Sequence, residues 1–259
     1  DRLRSRGLGD VYKRQVYIIR KKFSHGLGGM NGYFGKISLS LLGLNLFHKA
    51  MSSDKYILQE VVDARTEREF LDLPRKIYKG NRNWVCPLDP SIRAIFDPKK
   101  NELLSDGEAI RWIARDKKGE VVGRIAAFYD REHAFLEEQP TGGCGFFEAI
   151  NDQELADQLF DAARMWLSSR GMEAMDGPIN FGPRDSWWGL LVSGYEFQPL
   201  YENAYNPPYY KELFENYGFQ NYFNQHTYLR RLEVGQLSDS VYERVKRLEE
   251  SPGSVSYTH

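Results

Sequence analysis

From residue 55 onward, apolar and polar positions alternate with two different periods. "YILQEVVDA", Tyr56 to Ala64, is rich in β-branched residues and predicts a strand. Thr66 and Glu69 have the spacing of a capping box and open a helix to about Tyr78. "KGNRNWVCPLDP" is a loop of turn residues with one aromatic, and "SIRAIFDP" gives one or two helical turns ended by Pro98. "AIRWIARD" and "EVVGRIAAFYD" form a hairpin turning at Asp116 to Gly119. "GFFEAI", Gly145 to Ile150, reads as a short buried strand. Asn151 or Asp152 then caps the strongest helix, with Leu155, Leu159, Ala163, Trp166 and Leu167 on one face and Gly171 at its end. "MEAMDGPIN" is a strand and a turn. "NPPYYKELFENYGF" has Pro at a helix start and Gly at its end. "QNYFNQHTYLRRL" is a last strand, and "SDSVYERVKRLEE" begins a helix capped by Ser238 or Ser240. The order β-α-α-β-β-β-α-β-α-β describes a mixed α/β layer protein.

The ends break this pattern. Asp10 to Gln15 can be written GAT GTG TAT AAG AGA CAG, and the reverse complement of that DNA encodes Val255 to His259. The shared element resembles the transposase end sequence used to tag DNA fragments. Residues 1–15 and 255–259 are therefore expected to be adapter translation, and residues 16–50 an upstream read-through before Met51, the alternative being an export signal starting at Met30. The expected organisation is a non-native stretch at 1–50, a domain at 51–233, the start of a truncated region at 234–254, and adapter at 255–259.

Charge changes with this division. The chain has 35 basic and 36 acidic residues, but residues 1–50 hold ten basic and two acidic ones. The remainder is acidic, with a net charge of −9. That argues against nucleic acid and against an anionic membrane surface as partners. Cys86 and Cys144 lack metal-ligand spacing and fit a reducing cytoplasm. His133 and His226 stand alone, so no metal site is expected. "GLGG" at Gly26 falls in the upstream stretch, and "TGGCG", Thr141 to Gly145, reads as a loop before a strand rather than a phosphate cradle.

"GFFEAINDQELADQLFDAARMWLSSRGMEAMDGPINF" and "YNPPYYKELFENYGFQNY" resemble the GNAT superfamily of acyl-CoA N-acyltransferases, in an uncharacterised bacterial branch whose members are longer. The resemblance spans Lys55 to Leu232. It implies a central mixed sheet with helices on both faces, acetyl-CoA or another acyl-CoA as cosubstrate, and a small-molecule amine as acceptor. It places Phe147, Glu148, Ala149 and Asn151 against the cofactor. Acyl transfer of this kind needs proximity, a backbone donor for the thioester oxygen and a base for the amine. The sequence departs from the family at two points. The turn "INDQELAD" lacks glycine and carries Asp152, Glu154 and Asp157, which favour a helix N-terminus but repel pyrophosphate. Four residues before Gly218 stands Phe214, not the tyrosine that protonates a leaving thiolate; Tyr209, Tyr210 or Tyr217 would have to replace it.

The irregular stretch "GPINFGPRDSWWGLLVSGYE" puts charges beside aromatics on one loop. Asn180, Arg184, Trp187, Trp188 and Asn206 are expected to line an acceptor pocket, with Asp185, Glu202, Tyr205 and Tyr210 as candidate catalytic groups. The alternative expectation is a non-catalytic GNAT-like module that binds a ligand or packs against a missing C-terminal region holding the active site.

Overall fold

The computed structural model describes residues 12–23, 53–136, 138–229 and 239–250. Expectations for residues 1–11, 24–52, 230–238 and 251–259 lie outside them. The chain divides into two units, residues 14–227 and the remainder.

In the larger unit the strands are β1 (Tyr12–Lys22), β2 (Ile57–Glu60), β3 (Glu108–Arg115), β4 (Val121–Tyr129), β5 (Thr141–Ala149), β6 (Ala174–Gly177), β7 (Leu190–Ser193) and β8 (Gln220–Leu229). They form one sheet in the order β2-β3-β4-β5-β6-β1-β7, with β8 also pairing β1. β2 to β5 pair antiparallel, whereas β5 and β6 are parallel. The helices are α1 (Ala64–Ile77), α2 (Asp89–Ile95), α3 (Arg131–Ala134), α4 (Gln153–Ser168) and α5 (Tyr210–Tyr217). The fold is a mixed α/β layer structure. Alternation along the strands separates two layers of core. Trp112, Ile125 and Ala127 meet Leu155, Leu159 and Phe160 of α4, while Ile113 and Val121 meet Phe70 and Leu73 of α1. In the smaller unit, α6 (Asp239–Glu249) exposes Val241, Tyr242, Val245 and Leu248.

Most elements follow the sequence pattern, and the differences have physical causes. The capping box of α1 is built one turn earlier, from Asp63 and Thr66: the Asp63 carboxylate accepts the Thr66 amide at 2.7 Å. Asp152, not Asn151, caps α4, accepting the Leu155 amide at 3.2 Å. "TGGCG" is the first half of β5 rather than a loop. A Cβ on Gly145 would run into the Ile179 carbonyl oxygen, so the close approach of that segment explains the residue. Residues 12–22, set apart by the sequence reading, form a strand between β6 and β7, with Val16, Ile18 and Ile19 buried.

Two irregularities of β5 prepare a polar cluster in the interior. A bulge at Phe146, with φ of 52°, lets two residues oppose one on β4 and sets Glu148 opposite Arg124. Parallel pairing with β6 covers only Thr141 to Gly143. Beyond it β5 has no strand neighbour on that side, and other groups must satisfy its backbone.

Candidate functional site

The site begins with a proline inside α1. Pro74 has no N–H to donate to the carbonyl four residues earlier, which is Phe70. Arg124 of β4 supplies the missing donor, its Nη1 reaching the Phe70 oxygen at 2.6 Å. Its guanidinium also lies 4.6 Å from the Phe70 ring centroid. Arg124 is thereby fixed in the interior, at 6% exposure, with its Nε lacking a hydrogen-bond partner.

Glu148 faces it. Arg124 Nη2 stands 3.6 Å from the Glu148 carboxylate, and Glu148 is 9% exposed. Burial pushes the Glu148 carboxyl up, against the pull of Arg124, and burial draws the Arg124 guanidinium down. Both shifts favour the neutral forms, so at this separation the loss of solvent outweighs the mutual attraction. Glu148 therefore takes up a proton more readily than an ordinary carboxylate.

Two tyrosines at the start of α5 close the gap between β5 and β6. The Tyr210 hydroxyl donates to Glu148 at 2.8 Å and accepts the Ala149 amide at 2.9 Å. The Tyr209 hydroxyl donates to the Ala149 carbonyl at 2.8 Å. Tyr78, at the C-terminus of α1, donates to the Tyr205 carbonyl at 3.2 Å, and the Glu148 charge acts on its hydroxyl. Burial raises Tyr78 and Tyr210 well above the usual phenol range and Tyr209 to about 12. Trp84 stacks on Tyr78 at 4.7 Å, so the cluster lies beneath the loop after α1. Sequence reasoning named Tyr210 as a catalytic group and Glu148 as a cofactor contact. It passed over Arg124 and Tyr78. Opposite charges inside two apolar strands, "VVGRIAAFY" and "GFFEAI", were the available signal.

Three of the residues expected to hold a cofactor are accounted for in other ways. Phe147 packs in the core, stacked on Phe160 at 4.7 Å. Ala149 has both its amide and its carbonyl held by tyrosines. Asn151 is exposed at the turn. At the α4 N-terminus, Asp152 caps the helix and also accepts the Tyr56 hydroxyl at 3.0 Å, while Lys55 pairs with Glu154 at 2.6 Å. An N-terminus filled by its own carboxylates does not fit the pyrophosphate of CoA.

The loop expected to hold the acceptor is only partly assembled. Arg184, Asp185, Trp188 and Glu202 line one hollow of about 10 Å³, too small for an organic acceptor as it stands. The Glu202 carboxylate accepts the Ser186 hydroxyl at 2.6 Å, and its carbonyl accepts the Trp187 amide. Trp187 and Glu202 both have positive φ, at 46° and 57°. Asn206 is buried with its amide spent on the β7 backbone, bonded to the Leu191 N–H at 2.7 Å and the Leu191 carbonyl at 3.1 Å. Tyr205 donates to the Tyr195 carbonyl at 2.9 Å and stands edge-on to Tyr78. Asn180 is 3% exposed with an unpartnered Oδ1. Among the described residues no group of three His, Cys, Asp or Glu side chains is placed to hold a metal, and no helix is long and apolar enough to cross a membrane.

No protein-family model matches the chain. A bacterial ceramide synthase of Caulobacter vibrioides is 30% identical over 195 residues, 72% of this chain and 49% of that protein. Protein YghO of Escherichia coli is 27% identical over 175 residues, 65% of this chain and 43% of that protein. An X-ray structure of a Drosophila protein aligns with a TM-score of 0.38 at 10% identity, covering 88% of this chain and 54% of that one. The chain spans about half the length of the curated relatives it matches, and one of those relatives is named for an acyl-transfer reaction.

Proposed function

We propose that this chain takes part in N-acylation of a long-chain amino alcohol, with an acyl thioester, acyl-CoA by the resemblance, as donor. The observation that carries the reading is the buried Glu148–Arg124–Tyr210 cluster at the split between β5 and β6, on a chain similar to a ceramide synthase. Ceramide is an N-acylated amino alcohol, so the acceptor class follows from that name. In the reaction the amine nitrogen bonds to the acyl carbon, the carbon–sulfur bond breaks with its electron pair leaving on sulfur as the released thiolate, and the amine proton is taken up. Glu148 is the proton acceptor, since burial holds its affinity for a proton above that of a surface carboxylate. Arg124 and Tyr210 are positioning residues that fix its two oxygens.

The test is mass spectrometry of the N-acyl product from sphinganine and a long-chain acyl-CoA, with the parent chain and with Glu148→Gln. The expected result is product from the parent and a loss of roughly a hundredfold or more in the variant. Equal turnover by both would remove Glu148 from the chemistry. The second reading, a half that supports a site elsewhere in a longer protein, is favoured by the engaged Ala149 backbone and the filled α4 N-terminus. It predicts no product from this chain alone.

A further inference from the structure

We propose that the loop pair 79–88 and 194–201 docks on a lipid bilayer surface and presents the buried cluster to an acceptor held there. The inference rests on the acylation reading for the nature of the acceptor, and on independent geometry for the surface.

The two segments are tied together. The Asn83 side chain donates to the Tyr195 carbonyl at 3.1 Å, and the Gln198 side chain donates to the Arg82 carbonyl at 3.3 Å. Together they expose four large apolar side chains: Val85 at 54%, Leu88 at 67%, Leu200 at 57% and Tyr201 at 83%. Scattered exposed apolar residues are ordinary, but four on two bonded loops form a patch. The patch lies over the cluster, because Trp84 stacks on Tyr78 and the charge of Arg124 acts on the Cys86 thiol.

Charge favours a bilayer over an apolar protein groove as occupant. Lys79 and Arg82 are exposed on the first segment, and among the described residues neither forms a salt bridge. That segment has no carboxylate; the second has Glu196, and Glu202, which follows it, accepts the Ser186 hydroxyl at 2.6 Å, so the cationic side of the patch is the first segment. Asp89, next to the first segment, is neutralised by Arg75 at 2.5 Å and Arg68 at 2.8 Å. Apolar side chains flanked by cations suit the headgroup boundary of an anionic bilayer. The net acidity of the chain, which argued against such a partner, is spread elsewhere. Over this patch the local charge decides, because screening limits distant charges to about 10 Å.

The experiment is co-sedimentation with vesicles of phosphatidylglycerol and phosphatidylcholine, against vesicles of phosphatidylcholine alone. The parent chain is expected to bind the mixed vesicles more tightly, and added salt to weaken the difference. Val85→Asp with Leu200→Asp should lower partitioning by about tenfold or more. Leu136→Asp, at an exposed apolar residue on another loop, should leave it unchanged; circular dichroism checks that each variant is folded. Absence of parent binding to either vesicle, equal binding by the double variant, or an equal loss in Leu136→Asp overturns the proposal. Turnover of acceptor in detergent micelles separates the two readings. Micellar product without vesicle binding removes the docking surface alone, and vesicle binding without micellar product removes the acylation reading alone.

Discussion

Replacing Arg124 by Met isolates the electrostatics of the candidate site. Met keeps an apolar stem against the Phe70 ring and removes the charge that faces Glu148 at 3.6 Å. Both side chains are almost fully buried. Breaking a buried pair from one side costs about 3–5 kcal/mol, because the remaining charge is left uncompensated. The Phe70 carbonyl, which Pro74 cannot serve, loses its donor as well and adds roughly 1 kcal/mol.

The electrostatic part of that cost depends on pH. Glu148 already has a folded-state pKa above its unfolded value of 4.5, and Arg124 is the charge that holds it down. A raised folded-state pKa gives stability that is full below the unfolded value and is lost as pH rises through the folded value. Removing Arg124 raises the folded pKa further, so the loss extends to higher pH. At about pH 5 a neutral Glu148 escapes most of the penalty, and at about pH 8 the variant bears it, either as a buried charge or as a forced protonation costing about 1.4 kcal/mol per pH unit. Urea unfolding followed by tryptophan fluorescence at both pH values reads the difference. A destabilisation independent of pH, or below about 1 kcal/mol at the higher pH, would refute the argument. Adding Glu148→Gln should return part of the loss at high pH, since the charge is then gone from both sides.

Three further substitutions, the last paired with a control, test the frame around the cluster. Tyr210→Phe strips the acceptor from the buried Ala149 amide and a donor from Glu148, and calorimetry should show a loss of about 2–3 kcal/mol. Asn206→Ala leaves the buried Leu191 N–H without its acceptor, while the Leu191 carbonyl keeps the Tyr195 hydroxyl at 2.8 Å; roughly 1–2 kcal/mol should disappear from chemical denaturation, and hydrogen exchange at Leu191 should accelerate. Gly145→Ala drives a methyl into the Ile179 carbonyl, so soluble yield and thermal midpoint should both fall, while Gly119→Ala, in open space at the hairpin tip, should cost less despite its φ of 81°.

The elements that were legible in the sequence are those whose pattern closes within a few residues. The β3–β4 hairpin, α4 with its apolar face, and α5 between Pro207 and Gly218 each carry their own start and stop signals. The elements that were missed depend on distant partners. β1 contains Arg14, buried because its guanidinium donates to the Ala204 carbonyl, and Arg20, paired with Asp176 at 2.6 Å. Those charges break the apolar alternation that marks a strand. β7 is four residues long, and its Leu191 is bridged by Asn206 on a later loop. The glycines of β5 look like a loop until Phe128, Leu167 and Ile179 occupy the space beside them. The site shows the same division. Glu148 and Arg124 lie 24 positions apart and become neighbours only through the β4–β5 register. Tyr78 joins them only through the docking of α1.

The donor poses a sharper question, because the fold fits the resemblance while the helix N-terminus does not. If the α4 terminus bound a pyrophosphate, that group would meet Asp152 at a full N-cap, with Glu154 beside it. Asp152 already accepts the Leu155 amide, and the Glu154 carboxylate adds like charge that repels an anion there. The gap between β5 and β6, in contrast, is closed by tyrosine hydroxyls whose bonds to Ala149 are individually worth about 1 kcal/mol net and can be exchanged for bonds to a carbonyl. An acyl thioester engaged only there has no use for the nucleotide. An acyl-N-acetylcysteamine, which keeps the thioester and lacks the pyrophosphate, is therefore expected to replace acyl-CoA with kcat/KM lower by about threefold at most. Asp152→Asn should leave the ratio of the two donors unchanged. A preference for acyl-CoA of about a hundredfold or more, or a ratio that moves with Asp152, would mean that the pyrophosphate is held at α4 after all, and that its carboxylates are displaced on binding.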